Sequence, residues 1–203
     1  MSYQIDRRRL LKAGLAGAVA AAMPARVLAA TDAGRIVPPL LMERARRALD
    51  RYPGLKGDRI FIADFSRASA DPRFHMVNLE SGRTDSLLVT HGRGSDPAYS
   101  GYLRQFSNEM GSAATSSGAF RTGRIYAGKH GASRRLAGLE SSNDNAYARA
   151  IVVHGAWYAD PALLRAHGKL GRSEGCFAVS QEDIGPLLDR LGEGRLIYAG
   201  RTA

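Results

Sequence analysis

The chain has 203 residues, a formal net charge of +10 and an isoelectric point near 10.2. That length allows one domain with a proper core. A single cysteine excludes an internal disulfide, and one cysteine with five scattered histidines lacks the close ligand spacing of a zinc site, so no metal is expected. No long Lys/Arg run is present and aromatic residues make up 7%, which argues against a nucleic-acid partner.

The first 29 residues read as a targeting segment. Arg7-Arg8-Arg9-Leu10-Leu11-Lys12 is a twin-arginine pattern, with Asp6 where Ser or Thr is more usual. An apolar stretch rich in Ala and Gly runs from Ala13 to Met23. Val27-Leu28-Ala29 then offers small residues for cleavage before Ala30. The expectation is export through the twin-arginine (Tat) machinery to a bacterial periplasm or cell envelope, not a permanent transmembrane anchor. Residues 1–30 carry five basic side chains and one acid, so the remainder keeps about +6. Such a surface suits an anionic polymer or membrane face, or is ordinary solvated charge.

Residues 30–58 read as a linker and a helix. Leu40, Leu41, Arg44, Ala45, Ala48 and Leu49 recur at helical spacing between Ile36 and Arg51, and Pro53-Gly54 ends the run. From residue 59 to 203 the pattern is β. Candidate strands are Arg59–Phe65, His75–Glu80, Ser86–Gly92, Phe120–Ala127, Arg134–Glu140, Arg149–His154 and Arg195–Ala199. Ser81–Asp85 reads as a hairpin turn. Gln181–Leu191 reads as a short helix interrupted by Gly185-Pro186, and Gly92–Gly118 as a long polar loop of the kind that forms lids or walls. Many short strands separated by Gly, Ser, Asn and Asp clusters predict a mainly β sandwich or barrel with a few short helices, preceded by the N-terminal helix.

The residues that carry chemistry lie near the end. Cys176 stands in Arg172-Ser173-Glu174-Gly175-Cys176-Phe177, a polar setting unlike that of a cysteine used as core filler. The β run Arg149–Val153 delivers His154-Gly155, and Cys176 follows His154 by 22 positions. A strand-end histidine and a glycine-flanked cysteine are the parts of a thiol nucleophile and its base. His91, His130 and His167 are also followed by glycine, and His91 ends a similar run, Leu87-Leu88-Val89-Thr90-His91, so it is the second candidate for the base. Backbone N–H groups at Gly175 and Cys176 are the expected oxyanion donors. Glu174 is expected to point outward, opposite Ser173.

IVVHG followed by GRSEGC resembles the signature of the L,D-transpeptidase (YkuD-type) family, a histidine-glycine, a spacer and Ser-x-Gly-Cys. SSGAFRTGRIYAGKHG and GLESSNDNAYARAIVVHG are similar to its murein L,D-transpeptidase catalytic domain branch. The sequence departs from the pattern at Glu174, where many members carry His, Lys or Arg, and at Ala178, where many carry Arg. The resemblance implies an L,D-transpeptidase-like catalytic domain over residues 59–203 that needs no cofactor. It implies peptidoglycan as partner, with a stem tetrapeptide as acyl donor and an amine as acceptor, and a thioester on Cys176 formed with loss of terminal D-alanine. It makes the Gly155 carbonyl the group that fixes the His154 tautomer. Arg172 and Ser173 are expected to line the pocket, Arg172 meeting a stem carboxylate, or else to cap the loop. His91, Ser117, Gly118 and Tyr126 are expected as further substrate-binding positions. Hydrolysis of the same class of bond, as a carboxypeptidase or endopeptidase, and an inactive wall-binding homologue are the competing expectations.

Overall fold

The computed structural model describes residues 31–32 and 36–202. The expected targeting segment, residues 1–29, lies outside the described residues. The chain alternates residue by residue between two apolar layers, and that alternation builds the fold. Strand β1 (Thr31–Asp32) and helix α1 (Pro39–Arg51) precede β2 (Arg59–Asp64), β3 (Phe74–Asn78) and β4 (Arg83–Leu87). A long hairpin follows, β5 (Gly118–Gly128) and β6 (Gly131–Gly138), then β7 (Val152–Gly155), α2 (Ala162–His167), β8 (Phe177–Val179), α3 (Ile184–Leu191) and β9 (Leu196–Gly200). The strands form one sheet in the order β1-β4-β3-β2-β9-β5-β6-β7-β8. The β2–β9 and β7–β8 pairs are parallel.

The sheet curls until its two ends meet. The segment after β4 returns to the far edge, where Thr90 N–H donates to the Ala178 carbonyl at 2.9 Å and Gly92 bridges Ser173. Inside the curl, Phe61, Phe65, Phe74, Phe120 and Phe177 are fully buried, with Phe120 and Phe177 edge to face at 5.5 Å. Leu187, Leu188 and Leu191 of α3 join this core. Outside it, Leu41, Ala45 and Ala48 of α1 pack on Ile60, Ile62, Val77 and Leu196. Thus Phe61 and Ala63 of β2 face in while Ile60 and Ile62 face the helix, the period of two that a strand imposes. Burying each of the Phe, Ile and Leu side chains is worth about 2 kcal/mol. Pro38 and Pro39 open α1, where a missing N–H costs nothing.

The mainly β sandwich or barrel expectation holds. Several boundaries move. The β3–β4 turn closes on Asn78–Gly82, so β4 starts at Arg83 and ends at Leu87, and Val89–His91 run buried without being a strand. Strand β6 begins at Gly131 and forms a hairpin with β5 across Lys129-His130. Strand β7 begins at Val152, because Ala150 takes φ of 55° and breaks the extended run. Pro186 does not interrupt α3: it lies in the first turn, where its missing N–H has no helical partner to lose. Helix α2 and strand β8 carried too few periodic residues to be read in the sequence.

Candidate active site

Parallel pairing of β7 and β8 brings the cysteine and the histidine together. His154 is registered against Ala178, and Cys176 lies two residues before Ala178. Side chains two apart on a strand share a face. Cys176 therefore lies diagonally across from His154 on the same side of the sheet, at about 8 Å between Cα atoms from strand spacing and rise. Phe177 and Val153, one residue along, point the other way into the core. His154 is buried; its Nδ1 lies 3.0 Å from the Gly155 carbonyl oxygen. A carbonyl only accepts, so Nδ1 carries the proton and Nε2 keeps its lone pair.

The turn that holds Cys176 is braced from within and below. Ser173 is buried; its Oγ donates to the Cys176 carbonyl at 2.7 Å and accepts from Gly175 N–H at 3.2 Å. Gly175 adopts φ of 113°, and a Cβ there would meet the Ala114 carbonyl oxygen at 2.6 Å and Ile151 Cδ1 at 2.7 Å. Only glycine satisfies both demands. Gly92 packs underneath: a Cβ on it would sit 2.8 Å from Gly175 N. Ser173 N–H donates to the His91 carbonyl at 2.9 Å.

The electrostatics favour a neutral pair at rest. Burial raises the Cys176 thiol above its ordinary value; a hydrogen bond from the Val152 backbone and the charges of Lys129 and Arg149 oppose this, and Glu174 adds to it. Burial lowers His154, the Gly155 hydrogen bond raises it, and His130 and Lys129 lower it further. Sγ contacts the Ala150 carbonyl oxygen at 3.7 Å, a weak thiol donation. Glu174 points outward as expected, 3.1 Å from Arg93, both side chains largely exposed.

Several predicted site residues are placed elsewhere. The Gly175 N–H, expected as an oxyanion donor, is taken by Ser173 Oγ, which leaves the Cys176 N–H as the donor without a partner among the described residues. His91 does not line the site. It is 1% exposed, Arg73 Nη2 donates to its Nδ1 at 2.8 Å, and its Nε2 lies 3.4 Å from Asp96. Arg172 donates to the Asp96 and Pro97 carbonyls and stacks 4.5 Å over Tyr99, so its role is to anchor the loop. Ser117 and Gly118 line a separate hollow with Arg44, Glu140 and Tyr198 that includes neither Cys176 nor His154. Tyr126 does share the reactive face, through its register with Ser133, which is in turn registered with His154.

Three neighbours escaped the sequence reading. His130, at the tip of the β5–β6 hairpin, stacks on His154 with ring centres 4.1 Å apart and planes 18° apart. Tyr158 stands edge-on to His154 at 6.4 Å. Arg149 donates to the Ser107 carbonyl, Ser116 Oγ, Ser112 Oγ and the Ala114 carbonyl, lashing the 107–116 segment beside the Cys176 turn. Nothing local in the sequence marks these contacts, since each joins segments more than 15 residues apart or depends on a turn. Among the described residues, no group of three or more His, Cys, Asp or Glu is arranged to hold a metal ion.

A curled, mainly β domain thus presents a thiol and an imidazole on one face from adjacent parallel strands. Residues 42–199 match the family model described as the L,D-transpeptidase catalytic domain, and the chain belongs to that family. No curated protein matches in sequence. Among solved structures, the chain is similar to an L,D-transpeptidase from Mycobacterium smegmatis (13% identity, 70% of this chain and 58% of that one, TM-score 0.42). It is also similar to L,D-transpeptidase 1 of Mycobacterium tuberculosis (14%, 70% and 60%, TM-score 0.37). A third is the helical cell shape determining protein Pgp2 of Campylobacter jejuni (12%, 82% and 58%, TM-score 0.48). The chain spans less than two thirds of the length of each.

Proposed function

We propose that the protein is an exported L,D-transpeptidase that acts on peptidoglycan stem tetrapeptides through a thioester on Cys176. The observation that carries this reading is the shared face of Cys176 and His154 across the β7–β8 pair, with Nδ1 committed to the Gly155 carbonyl. In the first step His154 Nε2 takes the Sγ proton as the sulfur attacks the carbonyl carbon of the third stem residue. The Cys176 N–H donates to the developing oxyanion; one such donor is worth about 3 kcal/mol. The C–N bond then breaks, the imidazolium returns its proton to the departing D-alanine amine, and the acyl group remains on sulfur. An acceptor amine attacks the thioester while His154 takes the amine proton, which releases the free thiol. Water in place of the amine makes the same site a carboxypeptidase.

The twin-arginine segment over residues 1–29 supports export by the Tat machinery to the periplasm or cell envelope, with residues 59–203 as the catalytic body. The basic balance of the chain suits an anionic wall polymer. The test is mass spectrometry of digested peptidoglycan after incubation with pure protein. Dimers gained, together with free D-alanine, are expected; D-alanine alone makes the protein a hydrolase. A digest unchanged relative to the Cys176→Ala control sinks the reading.

A further inference from the structure

The face shared by Cys176 and His154 carries a cation whose donors are unspent. Strand β6 alternates: Arg134 turns inward and donates to the Leu188 carbonyl at 2.8 Å, Leu136 is core, and Arg135 between them turns outward. Arg135 is registered against Val152, which shares a face with His154. Val152 in turn neighbours Cys176 across the β7–β8 pair, so Arg135 lies two strand spacings from the nucleophile, about 10 Å between Cα atoms. The Arg135 guanidinium leans toward β5, against Tyr126, and so occupies the part of this face beside the nucleophile rather than contacting it.

The guanidinium is held in place without being neutralised. The Tyr126 ring centre lies 4.2 Å from its central carbon and the Tyr147 ring centre 5.5 Å, and a ring face attracts the cation without taking up its conventional hydrogen-bond donors. Among the described residues no carboxylate pairs with Arg135, and none of its N–H groups has an acceptor. Arg149 contrasts with it, since both its terminal nitrogens are engaged by loop oxygens. The strand opposite is shaped around Arg135 as well. The β5–β6 register shifts between Thr122 and Ile125, and a Cβ on Gly123 would lie 3.3 Å from the Arg135 Cβ. A bulge at that point re-aims the side chains beside it. Glu174, the acid adjoining the thiol, is turned away toward Arg93.

We propose that Arg135, flanked by Tyr126 and Tyr147, is a carboxylate-binding subsite that takes a free carboxylate of the acyl-donor peptide on the face shared with Cys176. A planar guanidinium with open edges fits a planar carboxylate through two parallel hydrogen bonds. The subsite deepens the stem-peptide reading above and rests on it. Two carboxylates have this chemistry, the C-terminal one of the departing residue and the side-chain one of a diamino acid at the third position.

The test is calorimetric titration of Cys176→Ala protein, which cannot turn over, with three synthetic stem tetrapeptides. One has all carboxylates free, one is amidated at the C-terminus, and one is amidated on the third side chain. Amidating one of the two is expected to weaken binding roughly tenfold or more. Adding Arg135→Gln should bring all three peptides to the same weak affinity, and Arg135→Lys should restore part of the preference. Tyr147→Ala, at an exposed ring, should weaken the preference without unfolding the protein, as read by thermal melting. An unchanged preference in Arg135→Gln, or no binding of any peptide to the parent, overturns the subsite. Turnover by wild-type protein is scored separately. A clear Arg135-dependent preference with no product would leave the subsite standing and remove the thioester reading, and product without the preference would do the reverse.

Discussion

Two histidine-glycine pairs, His91-Gly92 and His154-Gly155, follow similar apolar runs and end in different chemistry. His91 is enclosed: Arg73 donates to one ring nitrogen, Asp96 faces the other, and burial with the Arg73 charge pulls its pKa down to about 4. His154 spends only Nδ1, on its neighbour's carbonyl, and keeps Nε2 on the thiol's face. The two sites touch, because the His91 carbonyl and Gly92 support the turn that ends in Cys176. A histidine becomes a base when one nitrogen is fixed and the other is left free. It becomes a structural post when burial encloses the ring between charged neighbours, as Arg73 and Asp96 enclose His91.

Substitutions at the two positions should separate these roles. His154→Ala and Cys176→Ala are each expected to lower acyl-enzyme formation by roughly 10³-fold or more with the fold retained, read by mass labelling with a thioester-forming carbapenem. His91→Ala should do the opposite. It removes one acceptor from the buried Arg73, which keeps the Val89 and Arg67 carbonyls, and opens a cavity; it should cost about 2–4 kcal/mol of stability, while the folded fraction still acylates. Full activity in His154→Ala would transfer the base to another residue. Gly175→Ala is expected next in size, at a few kcal/mol of stability and a displaced nucleophile, because it combines a positive φ with contacts under 3 Å.

Acid should sharpen the contrast further. His75 and His91 are both held near pKa 4 by burial, against 6.5 for the free side chain. Between those values the unfolded chain binds protons that the folded chain does not. Stability is therefore complete above pH 6.5 and declines toward pH 4, by up to about 3 kcal/mol for each histidine. Denaturant melts across that window check this, and a flat profile refutes it. For catalysis, lowered His154 places the acid limb of kcat/KM below pH 6.5, since the imidazole must be neutral to accept the thiol proton. The smallest effect expected is at His130. Removing its stacked ring takes away one influence that lowers His154, so His130→Ala should move the acid limb upward in pH.

Much of this site was legible before any coordinates. The polar setting of a lone cysteine and a histidine at the end of a β run are local features, and local pattern reports them. For Arg172 and Ser173 the sequence leaves pocket lining and loop capping both open, because adjacency to the cysteine in the chain does not say where donors go. Ser173 spends its hydroxyl inside the turn and Arg172 spends its guanidinium on the 96–97 carbonyls. Ser117, Gly118 and Tyr126 lie close together in sequence, but β5 separates them, and only Tyr126 reaches the reactive face.

The sequence alone determined the candidate chemical groups, a lone thiol and a strand-end imidazole, and the β-rich class of the fold, because residue type and period are properties of short segments. Tertiary structure alone decided which histidine shares a face with the thiol, which backbone N–H stays open and which arginine on that face keeps its guanidinium unpaired. Those choices depend on strand register and on where each donor finds an acceptor, and both are set by segments far apart in the chain.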